Sequence, residues 1–247
     1  MSAGPGAVII TVPGLRGRVD DHWQTQLAAR RPDVLAVQPL GRNDPSLADR
    51  VAALEETVEA VGGPVIIVAH SAGALTTVHW AARHPGSARQ VLGALLATPP
   101  DLDSPLPTEY PSLETLARHG WLPIPRQRLP FRSVVAASGN DALGDPQRVR
   151  ALADAWGSRW HHLGAVGHLN PASGYGEWPQ ADLFIEELST LEASDEFEPG
   201  HASSGQRTAL SRPRRSRARL NPAHLRPGRR GREPGGESPD QPGHPPR

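Results

Sequence analysis

Short apolar runs alternate with longer amphipathic segments along the first 190 residues of the chain. Runs of β-branched and aliphatic residues predict six strands, at residues 7–12, 34–37, 64–69, 91–97, 133–137 and 160–163. The strongest, PVIIVA, is apolar throughout, as is typical of a parallel strand covered on both faces. Helices are predicted between the strands, at residues 21–30, 46–61, 72–83, 146–156 and 180–191. This order predicts a three-layer α/β/α sandwich with a mostly parallel sheet.

Three of the predicted helices carry start signals. Ser46 precedes apolar residues spaced three and four apart, so it is the predicted N-cap of the second helix. Asp145 stands directly before Pro146, and proline is favoured at the first helical position, so Asp145 is the predicted N-cap of the fourth. For the first helix, the predicted cap is Asp20 or Asp21.

The composition of the chain changes near residue 192. Beyond it there is almost no aliphatic run, and Pro, Gly, Ser and Arg dominate. A segment of this composition cannot bury enough apolar area to offset the entropy lost on ordering. We therefore predict an α/β domain at residues 1–192 and a disordered tail at 193–247.

Charge and cysteine content exclude several classes of protein and site. The formal net charge is +0, and the predicted tail holds 11 Arg against 6 Asp plus Glu, so the predicted domain is mildly acidic. The chain contains no Cys, which excludes disulfides, thiolate metal sites and a cysteine nucleophile. Neither a signal peptide nor an apolar stretch of roughly 20 residues is visible, so a cytoplasmic location without membrane contact is expected.

The Arg-rich tail leaves open the interpretation that the protein binds nucleic acid or a membrane surface. Its basic clusters are RPRRSR at 212–217 and RRGR at 229–232. They lack the interleaved aromatic residues of many nucleic-acid sites, and the domain itself is acidic. No nucleic-acid partner is therefore predicted.

A serine lies between the strongest strand and the helix that follows it. Ser71 is the centre of AHSAG at 69–73, which departs from the nucleophile-elbow pattern G-x-S-x-G only in its first residue. The residues two before and two after the serine must be small in so tight a turn, as Ala69 and Gly73 are. The alternative is a serine that only caps the helix. His70 is predicted to support the turn and not to act as the base.

A nucleophilic serine needs a base and an orienting carboxylate, which in this topology follow it in the order acid, then histidine. Asp141 lies shortly after the strand at 133–137, and His168 lies in a Gly-flanked loop after the strand at 160–163. Ligands of parallel sheets bind beyond the carboxyl ends of the strands, where both residues stand. The alternatives are a turn aspartate and a solvated histidine. We predict Ser71 as nucleophile, Asp141 as acid and His168 as base.

Two backbone N–H groups are predicted to bind the oxyanion that develops on a substrate carbonyl. One belongs to Ala72, at the start of the helix after the serine. The other lies in the loop PGLRG after the first strand, where Leu15 is preferred and Arg16 is the near alternative. If the serine is not reactive, this Pro-Gly sequence is simply a turn.

Four segments of the chain are similar to a known family, namely VPGLRGRVDDHWQ at 12–24, VAHSAGAL at 68–75, ASGNDALGDP at 137–146 and GHLNPASGYGEWP at 167–179. In these segments the chain resembles the small serine hydrolases of the retinoblastoma-binding protein 9 and YdeN-like group. The resemblance implies a minimal α/β-hydrolase fold without a large lid domain. It also implies hydrolysis of esters or related acyl compounds without a cofactor or metal. It does not extend to binding the retinoblastoma protein, because the LxCxE type of motif needs a cysteine.

The predicted function is that of a carboxylesterase-like serine hydrolase, which cleaves an acyl bond of a small substrate through an acyl-enzyme. Candidate pocket residues are Arg16, Trp23, and Trp121 in the proline-rich stretch 99–130. The main expectation for the Asp-His-Trp run at 21–23 is structural, with the run fixing the loop near the oxyanion hole. For the stretch 99–130, an apolar acyl site and ordinary packing of a helix and loops on the sheet are equal alternatives. The alternative is a catalytically silent α/β-hydrolase-like protein that uses the pocket to bind a partner. The sequence favours the enzyme, because the three triad residues and the oxyanion loop are all present.

Overall fold

A computed structural model of the chain describes residues 6–38, 40–41 and 44–190. The predicted domain boundary at 192, the predicted tail and both Arg clusters lie outside the described residues. The strands are β1 Val8–Val12, β2 Val34–Ala36, β3 Val65–His70, β4 Val91–Ala97, β5 Arg132–Ala137 and β6 Arg159–His162. The α-helices are α1 Trp23–Arg30, α2 Leu47–Val61, α3 Ala72–Arg83, α4 Leu113–Arg118, α5 Pro146–Trp156 and α6 Gln180–Thr190. Short 3₁₀ helices lie at Ser87–Gln90 and Pro171–Ser173.

The six strands form one parallel sheet in the order β2-β1-β3-β4-β5-β6. The predicted three-layer α/β/α sandwich is thereby confirmed. The chain adds β2 on one side of β1 and β3 on the other, so the direction of winding reverses there. A crevice forms at such a reversal, beyond the carboxyl ends of the two strands, because their connections leave in opposite directions. The loop after β1 and the turn after β3 meet at this place.

Alternate side chains of the central strands fill two separate cores. Ile66 and Val68 face one core, and Ile67 and Ala69 face the other, as the period of two in a strand requires. Helices α2, α3 and α5 cover one face, and α1 and α6 cover the other. All six residues of β3 are buried, because helices exclude water from both of its faces.

Two predicted helix caps are present and one prediction is wrong. Ser46 accepts a hydrogen bond from the N–H of Asp49, and Asp145 caps α5. Helix α1 is capped by His22, whose Nδ1 accepts from the N–H of Gln24 at 3.2 Å, and not by Asp20 or Asp21. The imidazole can take this role because α1 begins two residues later than predicted.

The proline-rich stretch 99–130 contributes one short helix, α4, together with loops that pack on the sheet domain. Ser112 caps α4 by accepting from the N–H of Thr115. A large lid domain is not inserted at this place within the described residues. None of the helices that the structure describes combines the length and apolar character needed to cross a bilayer.

Candidate active site

Ser71 occupies a strained turn between β3 and α3. Its backbone has φ 58° and ψ −127°, a conformation that L-residues rarely adopt. A Cβ on Gly73 would lie 2.2 Å from the carbonyl oxygen of Val12, so only glycine lets α3 start this close to β1. The tight turn presents the Ser71 side chain above the carboxyl edge of the sheet, as the elbow pattern predicts.

Backbone strain is concentrated around this edge. The described residues include four non-glycine positions with positive φ, namely Ser71, Thr98, Leu102 and Leu169. Ser71 and Thr98 directly follow β3 and β4, and Leu169 directly follows His168. Strained conformations persist only where surrounding contacts over-determine them, and they cluster at functional sites.

The Ser71 hydroxyl is used for a contact other than capping. Among the described residues, it makes no capping hydrogen bond to α3. Its Oγ lies 2.8 Å from Nε2 of His168. Ser71 is therefore not a serine that only caps its helix.

His168 joins Ser71 to a carboxylate. Its Nδ1 lies 2.8 Å from Oδ2 and 3.0 Å from Oδ1 of Asp141. A carboxylate only accepts, so Nδ1 carries the proton and leaves Nε2 to accept from the Ser71 hydroxyl. Asp141 also accepts from the N–H of Leu143 at 2.9 Å, which fixes the carboxylate plane. The structure thus brings the three predicted residues into one hydrogen-bonded chain, in which Asp145, the cap of α5, has no part.

The loop that carries His168 is held from several sides. The backbone N–H of His168 donates to Ser173 Oγ, and its carbonyl accepts from Nε2 of His70, both at 2.9 Å. The N–H of Gly167 donates to the side chain of Asn140 at 2.7 Å. His70 therefore supports the imidazole of His168 through the backbone, a contact that its place before the serine does not reveal.

The loop after β1 lies directly against Ser71. A Cβ on Gly14 would be 3.2 Å from Ser71 Cβ, so this glycine allows the close approach. Arg50 donates from its guanidinium to the carbonyls of Gly14 and Leu15 at 3.4 and 3.1 Å. In a trans peptide the carbonyl of one residue and the N–H of the next point in opposite directions, so the bond to Gly14 turns the N–H of Leu15 away from Arg50, and the bond to Leu15 does the same for the N–H of Arg16.

Arg50 and Gln24 are two residues of this site that the sequence interpretation missed. Gln24 is buried and donates from Nε2 to the carbonyls of Val12 and Val68, at 3.1 and 2.9 Å, which ties the ends of β1 and β3 together. Arg50 lies on the apolar face of α2, beside the buried Val51. A charged residue on a core-facing stripe is the signal that could have identified it, because an unpaired buried charge is costly.

Comparison with known proteins identifies the family of the chain. The profile of the family described as "Serine hydrolase" matches residues 9–187, well over half of the chain. The chain belongs to the serine hydrolase family. A search of curated protein sequences found no significant match to it.

Solved structures with the same fold include YdeN-like proteins. A proposed YdeN-like hydrolase from Pectobacterium atrosepticum superposes on this serine hydrolase with a TM-score of 0.64 at 26% identity, over 75% of this chain and 92% of that one. The ydeN gene product of B. subtilis gives a TM-score of 0.52 at 16% identity, over 74% and 98% of the chains. A thermophilic esterase from Thermogutta terrifontis gives 0.53 at 13% identity, over 76% and 92%. The last two comparisons support the α/β-hydrolase fold alone.

Two cavities of this serine hydrolase meet at Ser71. An open cavity of about 230 Å³ lies on the His168 side, and a small recess of about 20 Å³ lies towards α4. Arg16 and Tyr110 line the open cavity, with the guanidinium carbon of Arg16 4.8 Å from the centre of the Tyr110 ring. Trp121 is in the wall of the small recess.

The prediction that Trp23 lines the substrate pocket is wrong. Its side chain is 1% exposed and lies in the core between the sheet and α6, where its ring meets that of Trp178 edge-on at 4.9 Å. The neighbouring His22 borders the open cavity instead. Adjacent residues at a helix start point in different directions, so the Asp-His-Trp run contributes to both core and cavity.

Buried histidines destabilise the folded domain at low pH, because burial disfavours their protonated form. Burial first, and the charge of a protonated His168 second, lower the pKa of His22 to about 4. The pKa of His70 is lowered for the same reasons, burial first. Burial also lowers the pKa of His79 in α3 to about 4. These imidazoles therefore stay neutral in the folded state at neutral pH.

We expect the free energy of unfolding to fall as the pH falls from about 6.5 to about 4. Unfolded histidines protonate near 6.5, whereas His79 in the folded domain protonates only near 4. The unfolded state therefore binds more protons in this window, and acid favours it. At pH 4.5, His79 alone accounts for about 2–3 kcal/mol of the fall in the free energy of unfolding. Urea unfolding at pH 7 and pH 4.5 measures the change.

His79→Gln is the matched variant, because the glutamine amide can still donate to the carbonyl of Trp121, which His79 contacts at 3.1 Å. Between pH 7 and pH 4.5, this variant should lose less unfolding free energy than the native protein, by the about 2–3 kcal/mol attributed to His79. An equal loss in both proteins would contradict the assignment of a depressed pKa to His79.

Proposed function

We propose that this serine hydrolase is an esterase that cleaves small carboxylic esters through an acyl-enzyme. The observation that carries the proposal is the unbroken hydrogen-bonded chain from Ser71 Oγ through the His168 imidazole to Asp141, with 2.8 Å at both junctions. These three hydrogen-bonded side chains lie at the crevice where ligands bind in sheets of this kind. The open cavity beside it, about 230 Å³, has room for a small molecule.

The first step forms the acyl-enzyme. Ser71 Oγ attacks the carbonyl carbon of the ester while its proton passes to Nε2 of His168. The backbone N–H groups of Leu15 and Ala72 bind the oxyanion, and Asp141 stabilises the imidazolium. The tetrahedral intermediate then collapses, the ester C–O bond breaks, and Nε2 gives its proton to the departing alcohol oxygen.

The second step releases the acid and restores the serine. His168 takes a proton from a water molecule, whose oxygen attacks the acyl carbon. Collapse of the second oxyanion breaks the bond to Ser71 Oγ, which recovers its proton from His168. Every proton moves through Nε2, so no cofactor enters the proposed sequence. The proposed partner is accordingly a small acyl substrate.

Labelling with a fluorophosphonate probe tests the proposal directly. The folded protein should react covalently with the probe and should hydrolyse p-nitrophenyl acetate, whereas heat-unfolded protein should do neither. The probe requires an activated serine and not merely a pocket, so it separates an enzyme from a catalytically silent binding protein. A folded native protein that neither reacts with the probe nor turns over the ester would overturn the proposal.

A further inference from the structure

The two cavities that meet at Ser71 lie on chemically different sides of the hydroxyl. The open cavity is bordered by His168 and by the residues after it, Asn170, Pro171 and Ala172. The small recess is bordered by Ala72 and by a wall of apolar side chains, Leu75, Leu102, Leu106, Leu116, Trp121 and Leu143. His168 is not among the residues that line it.

The path of the proton assigns the two halves of an ester to these cavities. The alcohol oxygen must approach Nε2 of His168 to be protonated as it leaves. The alcohol half therefore extends into the open cavity on the His168 side. The acyl chain leaves the same carbonyl carbon in another direction, and the recess is the space beside Ser71 and Ala72 that His168 does not border.

The recess admits only a very short chain. Its volume is about 20 Å³, less than a tenth of the 230 Å³ of the open cavity. Only a short chain of a few carbon atoms fits such a space. The apolar wall disfavours a charged or strongly polar acyl group, because such a group would lose its hydration there without a partner.

Hydrogen bonds hold the wall of the recess in place. The carboxylate of Asp101 accepts from the N–H groups of Asp103 at 2.7 Å and of Asp145 at 2.8 Å, and this turn keeps Leu102 at φ 53°. On the other side, Trp121 donates from Nε1 to the carbonyl of Pro45 at 2.6 Å. A wall fixed in this way does not readily widen for a longer chain.

From this geometry we infer that the enzyme selects esters with short acyl chains of about two to four carbons, with the recess of Leu102, Leu106 and Trp121 as the acyl site and the open cavity as the alcohol site. The inference rests on the proposed esterase function and adds its substrate class. The alcohol half has the larger space, and its surroundings are mixed, with Arg16 and His22 beside apolar residues such as Val19.

A series of p-nitrophenyl esters with 2, 4, 6 and 8 acyl carbons tests the inference, because the alcohol half is constant and only the acyl chain varies. For the native protein, we expect kcat/KM to fall by about 10-fold or more from acetate to hexanoate, since each carbon that stays in water forgoes its burial and a forced fit costs more. Equal or greater kcat/KM for hexanoate would overturn the inference without any variant.

Leu106→Ala is the informative variant, since Leu106 is only half-buried and lies in a loop of the recess wall. We expect it to raise the hexanoate-to-acetate ratio of kcat/KM by about 10-fold, the order expected for one or two newly accommodated methylenes. Leu92→Ala is the matched control, because Leu92 is a half-buried leucine at the start of β4, away from Ser71. Its ratio should equal that of the native protein.

The outcomes distinguish this inference from the proposed function. If no ester of the series is hydrolysed, the esterase proposal itself fails. If all esters are hydrolysed with similar kcat/KM, the esterase proposal stands and the acyl-site assignment is wrong. A folded Leu106→Ala protein with an unchanged ratio would also contradict the acyl site.

Discussion

Replacing Ser71 with alanine should abolish ester hydrolysis, with kcat/KM reduced by at least about 10⁴-fold. The expected loss is this large because the hydroxyl is the proposed nucleophile, and removal of a nucleophilic serine leaves only the contribution of the oxyanion site and substrate binding. The fluorophosphonate probe should no longer label the protein. Turnover of p-nitrophenyl acetate and labelling intensity measure the two effects.

The fold should survive this substitution. Ser71 Oγ contacts His168 and makes no cap to α3 among the described residues, and alanine is smaller than serine, so the strained turn loses little. The melting temperature should therefore stay close to that of the native protein. Ser189→Ala is a matched control, because Ser189 lies in α6 and donates to the carbonyl of Ile185. If Ser71→Ala keeps more than a few per cent of native activity, Ser71 is not the nucleophile.

The fold could be predicted because its elements depend on local patterns. A run such as PVIIVA is too short for a helix and too apolar for an exposed strand, so it predicts a buried parallel strand without further information. The structure confirms the sandwich, and β3 is its most buried strand. The predicted order of serine, acid and histidine likewise uses only strand ends, which all lie at one edge of a parallel sheet.

Contacts between distant segments could not be predicted in the same way. Trp23 was a candidate for the pocket, but its position depends on Trp178, which lies 155 positions later in the chain and reaches the same face when α6 packs there. The support of His168 by His70 crosses 98 positions. Such pairings follow from the three-dimensional packing of whole elements, and no spacing in the sequence encodes them.

Helix caps show the same limit on a smaller scale. Ser46 was predictable because its oxygen reaches an N–H three residues ahead within one turn. At α1 the cap depends on which residue first takes a helical conformation, and the burial of Trp23 and Gln24 moves that start to residue 23. Asp20 and Asp21 therefore remain exposed. Where tertiary packing sets the start of a helix, the strongest capping residue in the sequence is not the one used.

Replacing Asp141 with asparagine should reduce kcat for p-nitrophenyl acetate by about 10⁴-fold while the fold and KM change little. The N–H of Leu143 donates to Oδ1 of residue 141, so asparagine must place its oxygen there and its NH₂ group towards His168. The NH₂ group only donates, which forces Nδ1 of His168 to accept and moves the ring proton to Nε2. An imidazole protonated at Nε2 donates to Ser71 and cannot take its proton. The carboxylate that stabilises the imidazolium is lost as well.

Asp145→Asn separates this effect from the mere loss of a carboxylate near the site. Asp145 is the other acid of the same loop, and its side chain caps α5 by accepting from the N–H groups of Gln147 and Arg148. Asparagine is an equally good N-cap, so this variant should keep near-native activity and stability. The opposite ranking, with Asp145→Asn inactive and Asp141→Asn active, would assign the acid to Asp145. Because the two variants make the same chemical change four residues apart, the comparison isolates the contact of residue 141 with His168 as the cause of the expected loss.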